Sequence, residues 1–290
     1  MPFVTSSETQ TPGEWTVAVV QLESQDRLEE NLERAADLVA RARRLGAEIA
    51  ILPENFAFMG AEEDRRAIAE VVSVGPGGQA DGPIVRALRE LARRERLHLV
   101  AGGMPEASGD PRRPFNTSVA VGPDGSVLAV YRKIHLFDVD VGDGQSYRES
   151  SSTTAGDGAV TVELGGLVTG LSVCYDVRFG ALYQALVDRG AEALTVPAAF
   201  TLMTGKDHWH VLLRARAIEC QSWVLAAAQC GAHPRGRRTY GKSCIVDPWG
   251  DVVAQASDGP GVAVGRVERA RVDAVRKSLP SLRHRRVIGG

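Results

Sequence analysis

The amino-acid sequence predicts a single α/β domain with mixed β-sheets. Segments rich in Val, Ile and Ala alternate with segments whose apolar residues recur every three or four positions, which is the pattern of buried strands followed by amphipathic helices. The chain has 290 residues, of which 44% are hydrophobic and 24% charged, so it can bury one substantial core. A hairpin signal at Pro123-Asp124-Gly125 adds antiparallel pairing, so the sheet is not purely parallel.

The ends of the domain follow from composition. Residues 1–14 are rich in Ser, Thr and Pro and are predicted to be a flexible N-terminal tail, while residues 15–290 form the single domain. The tail has neither the basic start nor the apolar run of a secretory signal. The longest uninterrupted apolar stretches, such as 223–228, fall far short of the roughly 20 residues that span a bilayer. We therefore expect no membrane segment.

The first half of the chain alternates strands and helices. Residues 15–21 predict a strand, and a helix follows over 26–46 because apolar residues recur at three- and four-residue intervals until Gly46 supplies a stop. Residues 47–52 predict a second buried strand, which ends at Pro53-Glu54-Asn55. The elements that complete this half are a helix at 81–96, a strand at 98–102 and two hairpin strands at 116–122 and 126–132.

The second half repeats this plan. The predicted strands are 168–173, 193–196, 223–229, 242–246 and 262–267, and the predicted helices are 182–189 and 207–222. Between the halves, residues 142–158 are polar and rich in Gly and Ser. We interpret this segment as a loop that is long enough to lie over a site.

Charge and cysteine content narrow the classes of function. The formal net charge of −2 gives no electrostatic reason to expect binding to nucleic acid or to an anionic membrane surface. The chain has four cysteines: Cys174, Cys220, Cys230 and Cys244. No two of them form a CxxC motif, so a zinc or redox site has little support. Disulfides are not expected either, because the sequence shows no sign of export. These features indicate a cytoplasmic protein whose partner is a small molecule.

Three polar side chains directly follow predicted strands: Glu54, Lys133 and Cys174. At the carboxyl end of a strand a thiol can face a crevice toward which the N–H groups of the next turn also point. Partial burial would raise the pKa of a carboxyl group toward the range of a general base. Taken singly, each residue has another interpretation. Cys174 could be a buried core cysteine, Glu54 a helix cap or surface acid, and Lys133 a solvated residue at a strand end. Together they predict a nucleophile with a base and a cation.

The residues around these positions are similar to motifs of the nitrilase, or carbon-nitrogen hydrolase, superfamily. The motifs are Leu52-Pro53-Glu54-Asn55, Tyr131-Arg132-Lys133-Ile134-His135-Leu136-Phe137-Asp138 and Val173-Cys174-Tyr175-Asp176-Val177-Arg178-Phe179. The resemblance extends from about residue 15 to about 286. It implies a four-layer αββα sandwich and a Glu-Lys-Cys triad that hydrolyses amides through a thioester, with no metal or organic cofactor. It also implies that Glu149, sixteen residues after Lys133, is a second catalytic glutamate that orients the lysine and the substrate.

Further similarity points to the Nit branch of the superfamily. The segments 208–219, Ala226-Ala227-Ala228-Gln229-Cys230-Gly231 and Asp247-Pro248-Trp249-Gly250 resemble that branch, which holds ω-amidases and deaminated glutathione amidases. The Ala-Ala-Ala-Gln-Cys-Gly stretch favours the second activity, with ω-amidase, or another amide or carbamoyl hydrolase of the superfamily, as the alternative. A binding module with weak activity is the non-enzyme alternative, and an α/β-hydrolase elbow fails because it needs G-x-C-x-G.

The resemblance also implies roles in the pocket. Lys133 and the backbone N–H of Tyr175 would stabilise the oxyanion, and Arg178 would bind the carboxylate of an α-keto-acid amide. Phe200 and Thr204 would line the same pocket. The alternative for Arg178 is an ion pair with Asp176 or a helix cap.

The remaining features of the sequence concern the neighbourhood of Cys174, the surface and the oligomeric state. After Arg-Phe the family usually has Pro-Glu-Leu, whereas this chain has Gly180-Ala181-Leu182, a change beside Cys174 that should loosen the start of the next helix. The cluster Arg235, Arg237 and Arg238 is interpreted as a solvated loop. His208 and His210, two apart on a predicted helix, are interpreted as structural. The resemblance implies a homodimer or a higher homo-oligomer, which the basic tail 283–286 is able to join.

Overall fold

The structure is a computed structural model that describes residues 12–76, 81–140 and 146–286. Most of the predicted N-terminal tail therefore lies outside the described residues. Within the described ranges the chain forms sixteen strands and seven α-helices, numbered here in chain order. The division into a tail at 1–14 and one domain over 15–290 stays a prediction, although Glu14 already belongs to the first strand.

Two six-stranded sheets form the centre of the molecule. The first sheet has the order β16-β1-β2-β3-β4-β5, and its strands are β1 (Glu14–Gln21), β2 (Ile49–Leu52), β3 (His98–Glu106), β4 (Phe115–Val121), β5 (Val127–Arg132) and β16 (Gly261–Glu268). The pairs β1·β2 and β2·β3 are parallel, whereas β1·β16, β3·β4 and β4·β5 are antiparallel. The sheet is mixed, as the hairpin signal at 123–125 predicts.

The second sheet has the order β15-β14-β11-β10-β9-β8. Its strands are β8 (Thr161–Leu164), β9 (Leu167–Gly170), β10 (Ala193–Thr195), β11 (Trp223–Ala226), β14 (Cys244–Val246) and β15 (Val252–Gln255). The central pairs β9·β10 and β10·β11 are parallel and the outer pairs are antiparallel. Two short ribbons stand apart, formed by β6 (Asp138–Asp140) with β7 (Ser146–Arg148) and by β12 (Cys230–Ala232) with β13 (Arg238–Tyr240).

Helices cover the outer face of each sheet. The first sheet contacts α1 (Leu28–Arg44) and α3 (Pro83–Glu95), and the second contacts α4 (Gly180–Asp188) and α5 (Leu202–Cys220). Alternation along β2 produces this layering, because successive side chains of a strand point to opposite faces. Ile49 and Ile51 pack toward the second sheet, while Ala50 and Leu52 pack toward α1 and α3. The expected four-layer αββα sandwich is therefore confirmed.

Several elements differ from the prediction. The prediction missed β8, β15 and the helices α2 (Glu62–Ala67), α6 (Arg269–Ser278) and α7 (Ser281–His284). Helix α5 starts at Leu202 rather than at 207, because the Thr201 hydroxyl caps its first turn by accepting the Thr204 N–H. The predicted loop 142–158 contains β7 and a 3₁₀ turn at Glu149–Ser151, and its residues 142–145 lie outside the described part. No helix among the described residues is long and apolar enough to cross a membrane.

Candidate active site

The three candidate catalytic side chains line one cavity of about 360 Å³. Glu54 follows β2 and Lys133 follows β5, so both stand at the carboxyl ends of strands in the first sheet. Cys174 comes from the second sheet, four residues after β9 ends. All three are buried, with exposed fractions of 3% for Glu54, 2% for Lys133 and 7% for Cys174. The cavity thus opens where the strand ends of both sheets meet.

Lys133 stands between two carboxylates. Its Nζ donates to Glu54 Oε1 at 3.1 Å and to Glu149 Oε2 at 2.8 Å. Burial alone would lower the pKa of Lys133, but the attraction of Glu149 and Glu54 outweighs burial and raises it. For Glu149, burial would raise the pKa, and the opposing charge of Lys133 lowers it instead. The lysine is therefore cationic and Glu149 anionic at neutral pH.

Asn116 connects the two glutamates, and sequence reasoning missed it. Its Nδ2 donates to Glu54 Oε1 at 3.0 Å and to Glu149 Oε1 at 3.1 Å. It lies within β4, where a polar residue in a strand gives no local sign of function. The remaining Glu54 oxygen, Oε2, accepts the backbone N–H of Ala199 at 3.0 Å. Donors on both sides thus hold the Glu54 carboxylate in one orientation.

Cys174 has a left-handed backbone conformation with φ of +51°. Its N–H donates to Pro197 O at 2.8 Å, and the residue opens a 3₁₀ turn, Cys174–Arg178, that leads to α4. Glu54 lines the same cavity as the thiol and acts on it electrostatically. Burial and the negative charge of Glu54 together outweigh the attraction of Lys133 and hold the pKa of the thiol well above its ordinary value. The resting sulfur is a neutral thiol next to a carboxylate.

Asp176 fixes the turn that carries the cysteine. It is fully buried, and its carboxylate accepts hydrogen bonds from Tyr131 Oη at 2.7 Å, Val173 N at 2.9 Å and His135 N at 3.0 Å. The His135 ring lies against the same carboxylate at 2.7 Å and stacks on Phe179 with ring centroids 3.7 Å apart. The suggested ion pair between Asp176 and Arg178 is therefore absent among the contacts that the structure describes.

The residues expected to bind substrate also line the cavity: Tyr175, Arg178, Phe200 and Thr204. The Arg178 guanidinium lies 5.3 Å from the Phe200 ring centroid and 5.8 Å from that of Tyr175, an arrangement typical of cation–π contacts. Its Nη2 approaches His208 Nδ1 at 3.3 Å. Gly180 and Ala181, where the chain departs from the family pattern, are not among the described residues that line the cavity.

Three further arginines, Arg65, Arg148 and Arg237, line the cavity and were not predicted to do so, and Arg148 is paired with Asp140 at 2.8 Å. Arg65 of α2 is 7% exposed, and its Nη1 approaches Thr153 Oγ1 at 3.4 Å. Arg237 was interpreted as part of a solvated loop; instead it lines the cavity, with its guanidinium 5.8 Å from the Tyr147 ring centroid. No group of three or more His, Cys, Asp or Glu residues within the described ranges is arranged to hold a metal ion.

Known proteins with similar sequences and structures carry the same domain. Residues 16–277 match the model of the carbon-nitrogen hydrolase family. A deaminated glutathione amidase of Synechocystis is 43% identical over 276 residues, which are 93% of this chain and 98% of that protein. The human deaminated glutathione amidase is 41% identical over 290 residues, 98% of this chain and 85% of that protein.

Among solved structures, the Caenorhabditis elegans NitFhit protein superimposes with a TM-score of 0.86 and 38% identity. The match covers 96% of this chain and 66% of the longer NitFhit chain, so this chain spans slightly less than two thirds of that protein. This chain belongs to the carbon-nitrogen hydrolase family, the nitrilase superfamily that its motifs resemble.

Proposed function

We propose that the chain hydrolyses the amide of a small α-keto acid, with deaminated glutathione as substrate. The observation that carries the proposal is the convergence of Glu54, Lys133 and Cys174 in one buried cavity, where Lys133 donates a hydrogen bond to Glu54. Relatives named deaminated glutathione amidase, at 41% and 43% identity, support this substrate over other amides.

In the first half of the proposed reaction, Cys174 Sγ attacks the amide carbon while Glu54 accepts the thiol proton. A carboxylate must take this proton because the thiol, whose pKa is raised, does not ionise in advance at neutral pH. Lys133 Nζ and the N–H of Tyr175 stabilise the oxyanion. The tetrahedral intermediate then collapses, Glu54 returns the proton to the leaving amine, and a thioester remains on Cys174.

In the second half, water attacks the thioester. Glu54 accepts a proton from the water, the free acid leaves and the sulfur recovers its proton. Glu149 touches neither reacting atom in this scheme. It holds Lys133 in place at 2.8 Å and keeps the ammonium charged, so we assign it a positioning role.

The chemistry of deaminated glutathione fits the charge of the cavity. It carries a 2-oxo carboxylate at one end and a glycine carboxylate at the other, and its leaving amine is the dipeptide cysteinylglycine. We propose that the Arg178 guanidinium, which lies over the rings of Phe200 and Tyr175, binds the 2-oxo carboxylate. The volume of about 360 Å³ lies in the range of pockets for such small molecules.

The nucleophile is tested with Cys174→Ala. We expect release of the leaving amine from deaminated glutathione to fall by more than about 1,000-fold. Mass spectrometry of the wild-type protein mixed with substrate should show a transient 2-oxoglutaryl thioester. Cys220→Ala is the matched control, because Cys220 is also buried, at the end of α5, but does not line the cavity. Unchanged turnover in Cys174→Ala would end the assignment.

The substrate is tested by measuring kcat/KM for deaminated glutathione and α-ketoglutaramate side by side. The proposal expects the first to be higher. A higher value for α-ketoglutaramate, which releases ammonia, would make the chain an ω-amidase that uses the same triad. No turnover of either substrate by a folded protein would refute the proposed activity.

We also propose that two copies associate through the outer face of α5. Val211 and Ile218, seven positions apart on this helix, are 67% and 46% exposed. Trp249, itself 52% exposed, belongs to the turn whose Gly250 lies next to Ile218 and accepts a hydrogen bond from Arg214 Nε at 2.7 Å. Exposed large apolar side chains gathered on one side of a molecule are typical of an interface. Light scattering should show a dimer that Val211→Glu dissociates, whereas a monomeric wild type would contradict the proposal.

A cytoplasmic location is proposed on the state of the thiols. All four cysteines are buried and free, which suits a reducing compartment. Fractionation of the cells that make the protein, followed by detection with an antibody, tests this location.

A further inference from the structure

We propose that Arg65 binds a second carboxylate of the substrate, the one carried by the leaving-group half. This inference rests on the proposed function, because it names how the cavity recognises the far end of deaminated glutathione. Arg65 lies in the short helix α2, remote in sequence from Lys133 and Cys174, and both Arg65 and its neighbour Thr153 line the cavity.

The hydrogen bonding of Arg65 is incomplete. Its side chain is buried with an exposed fraction of 7%, and its Nη2 has no hydrogen-bond acceptor in the described part of the chain. Its Nη1 has only the long contact of 3.4 Å to Thr153 Oγ1. None of the ion pairs within residues 12–76, 81–140 and 146–286 includes Arg65. A planar cation with five donors therefore lies at the cavity wall almost without acceptors.

Such an arrangement is costly unless something compensates for it. Removing a guanidinium from water without an anion or sufficient acceptors is strongly unfavourable. Another buried arginine shows the usual solution: Arg89 of α3 pairs with Asp81 at 2.8 Å and donates to the carbonyls of Gly75 and Gly125. Arg65 lacks an equivalent set within the described part of the protein. Because it borders the substrate cavity, a bound anion is the partner that would complete it.

Arg65 and Arg178 belong to different walls of the cavity. Arg178 lies on the turn after Cys174 and contacts Phe200 of the second sheet's side. Arg65 lies on the side of the first sheet, against the segment that follows Glu149. Two cations on separate walls suit a substrate with a carboxylate at each end. Deaminated glutathione has this form, whereas α-ketoglutaramate has one carboxylate and would leave Arg65 without an anion.

The first test compares these substrates in Arg65→Met, which keeps an unbranched side chain but removes the charge. We expect kcat/KM for deaminated glutathione to fall by about 10- to 100-fold, the loss of a hydrogen-bonded charge pair, mainly through KM. The fall for α-ketoglutaramate should be at least about tenfold smaller. Arg65→Lys, which retains a cation, should recover part of the loss for deaminated glutathione.

Arg66→Met is the matched control. Arg66 neighbours Arg65 on α2, pairs with Glu63 at 3.3 Å and does not line the cavity. It should change neither substrate's kcat/KM by more than about twofold. Equal losses for both substrates in Arg65→Met, together with a lower unfolding temperature, would show a structural role and overturn the proposal.

A binding measurement separates this inference from the proposed function. Calorimetry with N-acetyl-cysteinylglycine and the Cys174→Ala protein reports on the glycine carboxylate without any turnover. We expect the Cys174→Ala protein to bind this dipeptide weakly. Adding Arg65→Met should weaken the binding about tenfold or more, whereas adding Arg66→Met should leave it unchanged. The C-terminal amide of the same dipeptide lacks the carboxylate, so its binding should be the same with and without Arg65→Met. If the wild type hydrolyses neither substrate, the proposed function fails, and dipeptide binding that Arg65→Met leaves unchanged refutes the Arg65 subsite on its own.

Discussion

A single methyl group at Gly103 should disable the site by displacing Glu54. Gly103 lies in the irregular part of β3, where the register with β4 shifts between Ala101 and Met104, and its φ is +69°. A Cβ at this position would lie 2.6 Å from Glu54 Cγ and 2.9 Å from Asn116 Oδ1. Ordinary contact begins at 3.4 Å, so Glu54 would have to move by about 0.8 Å.

This displacement sets the expected magnitude. Misplacing a catalytic group by about 1 Å can cost about 100-fold in rate, so we expect kcat of Gly103→Ala to fall by about two orders of magnitude. The left-handed backbone adds about 1–2 kcal/mol of strain for alanine, which lowers the free energy of unfolding. The assay is release of the leaving amine from deaminated glutathione at saturating substrate, with urea unfolding measured on the same samples.

Gly46→Ala separates strain from displacement. Gly46 has φ of +92°, and nothing lies within 4 Å of a Cβ built there, so alanine brings the same kind of backbone strain without a clash. We expect it to lower stability and to leave kcat within about twofold. If Gly103→Ala retains as much activity as Gly46→Ala, Glu54 does not need the position that the structure gives it, and the reasoning is refuted.

Three further outcomes follow from the buried charges. Tyr131→Phe removes the hydrogen bond to Asp176 and should lower the free energy of unfolding by about 1.5–3 kcal/mol in urea titrations; a change below about 0.5 kcal/mol would contradict it. Glu149→Gln should lower kcat more than it changes KM, because Lys133 loses its nearer carboxylate, and an effect confined to KM would argue against positioning. The pKa of Glu149 is lowered in the fold, so its stabilisation is present above the ordinary value of 4.5 and is lost as the pH falls through the folded pKa. The stability difference between wild type and Glu149→Gln should therefore shrink below about pH 4.5. A difference that grows as the pH falls would contradict the lowered pKa of Glu149.

The catalytic candidates could be predicted because each breaks a local pattern. Glu54 and Lys133 end apolar strands, and such a charge at a strand end is visible in the sequence. Asn116 could not be found in this way, because its function depends on the register that places β4 between β3 and β5. Its two carboxylate partners are 62 and 33 residues away along the chain. Contacts of that separation have no signature in one strand.

The arginines of the cavity show the same limit. Arg65 and Arg66 adjoin in a charged segment, Glu62-Glu63-Asp64-Arg65-Arg66, and nothing local distinguishes them. The fold buries Arg65 and leaves Arg66 with Glu63 at the surface. Arg237 lies in a Gly- and Arg-rich stretch that is typical of a solvated loop, yet it reaches the cavity beside Tyr147. Composition predicts exposure on average, and only tertiary packing decides which side chain is the exception.

The charges of the site explain why the base must contact the nucleophile. At rest the cavity holds two carboxylates, Glu54 and Glu149, and one ammonium, Lys133, so this group of three carries one net negative charge. A thiolate formed beside an ionised Glu54 would add a second negative charge in a buried space, and the raised pKa of Cys174 reflects that cost. Transfer of the thiol proton to Glu54 during attack avoids it, because the charge lost by the carboxylate appears on the substrate oxyanion and the net charge of the site stays constant. The raised pKa of Lys133 keeps the cation beside that oxyanion throughout.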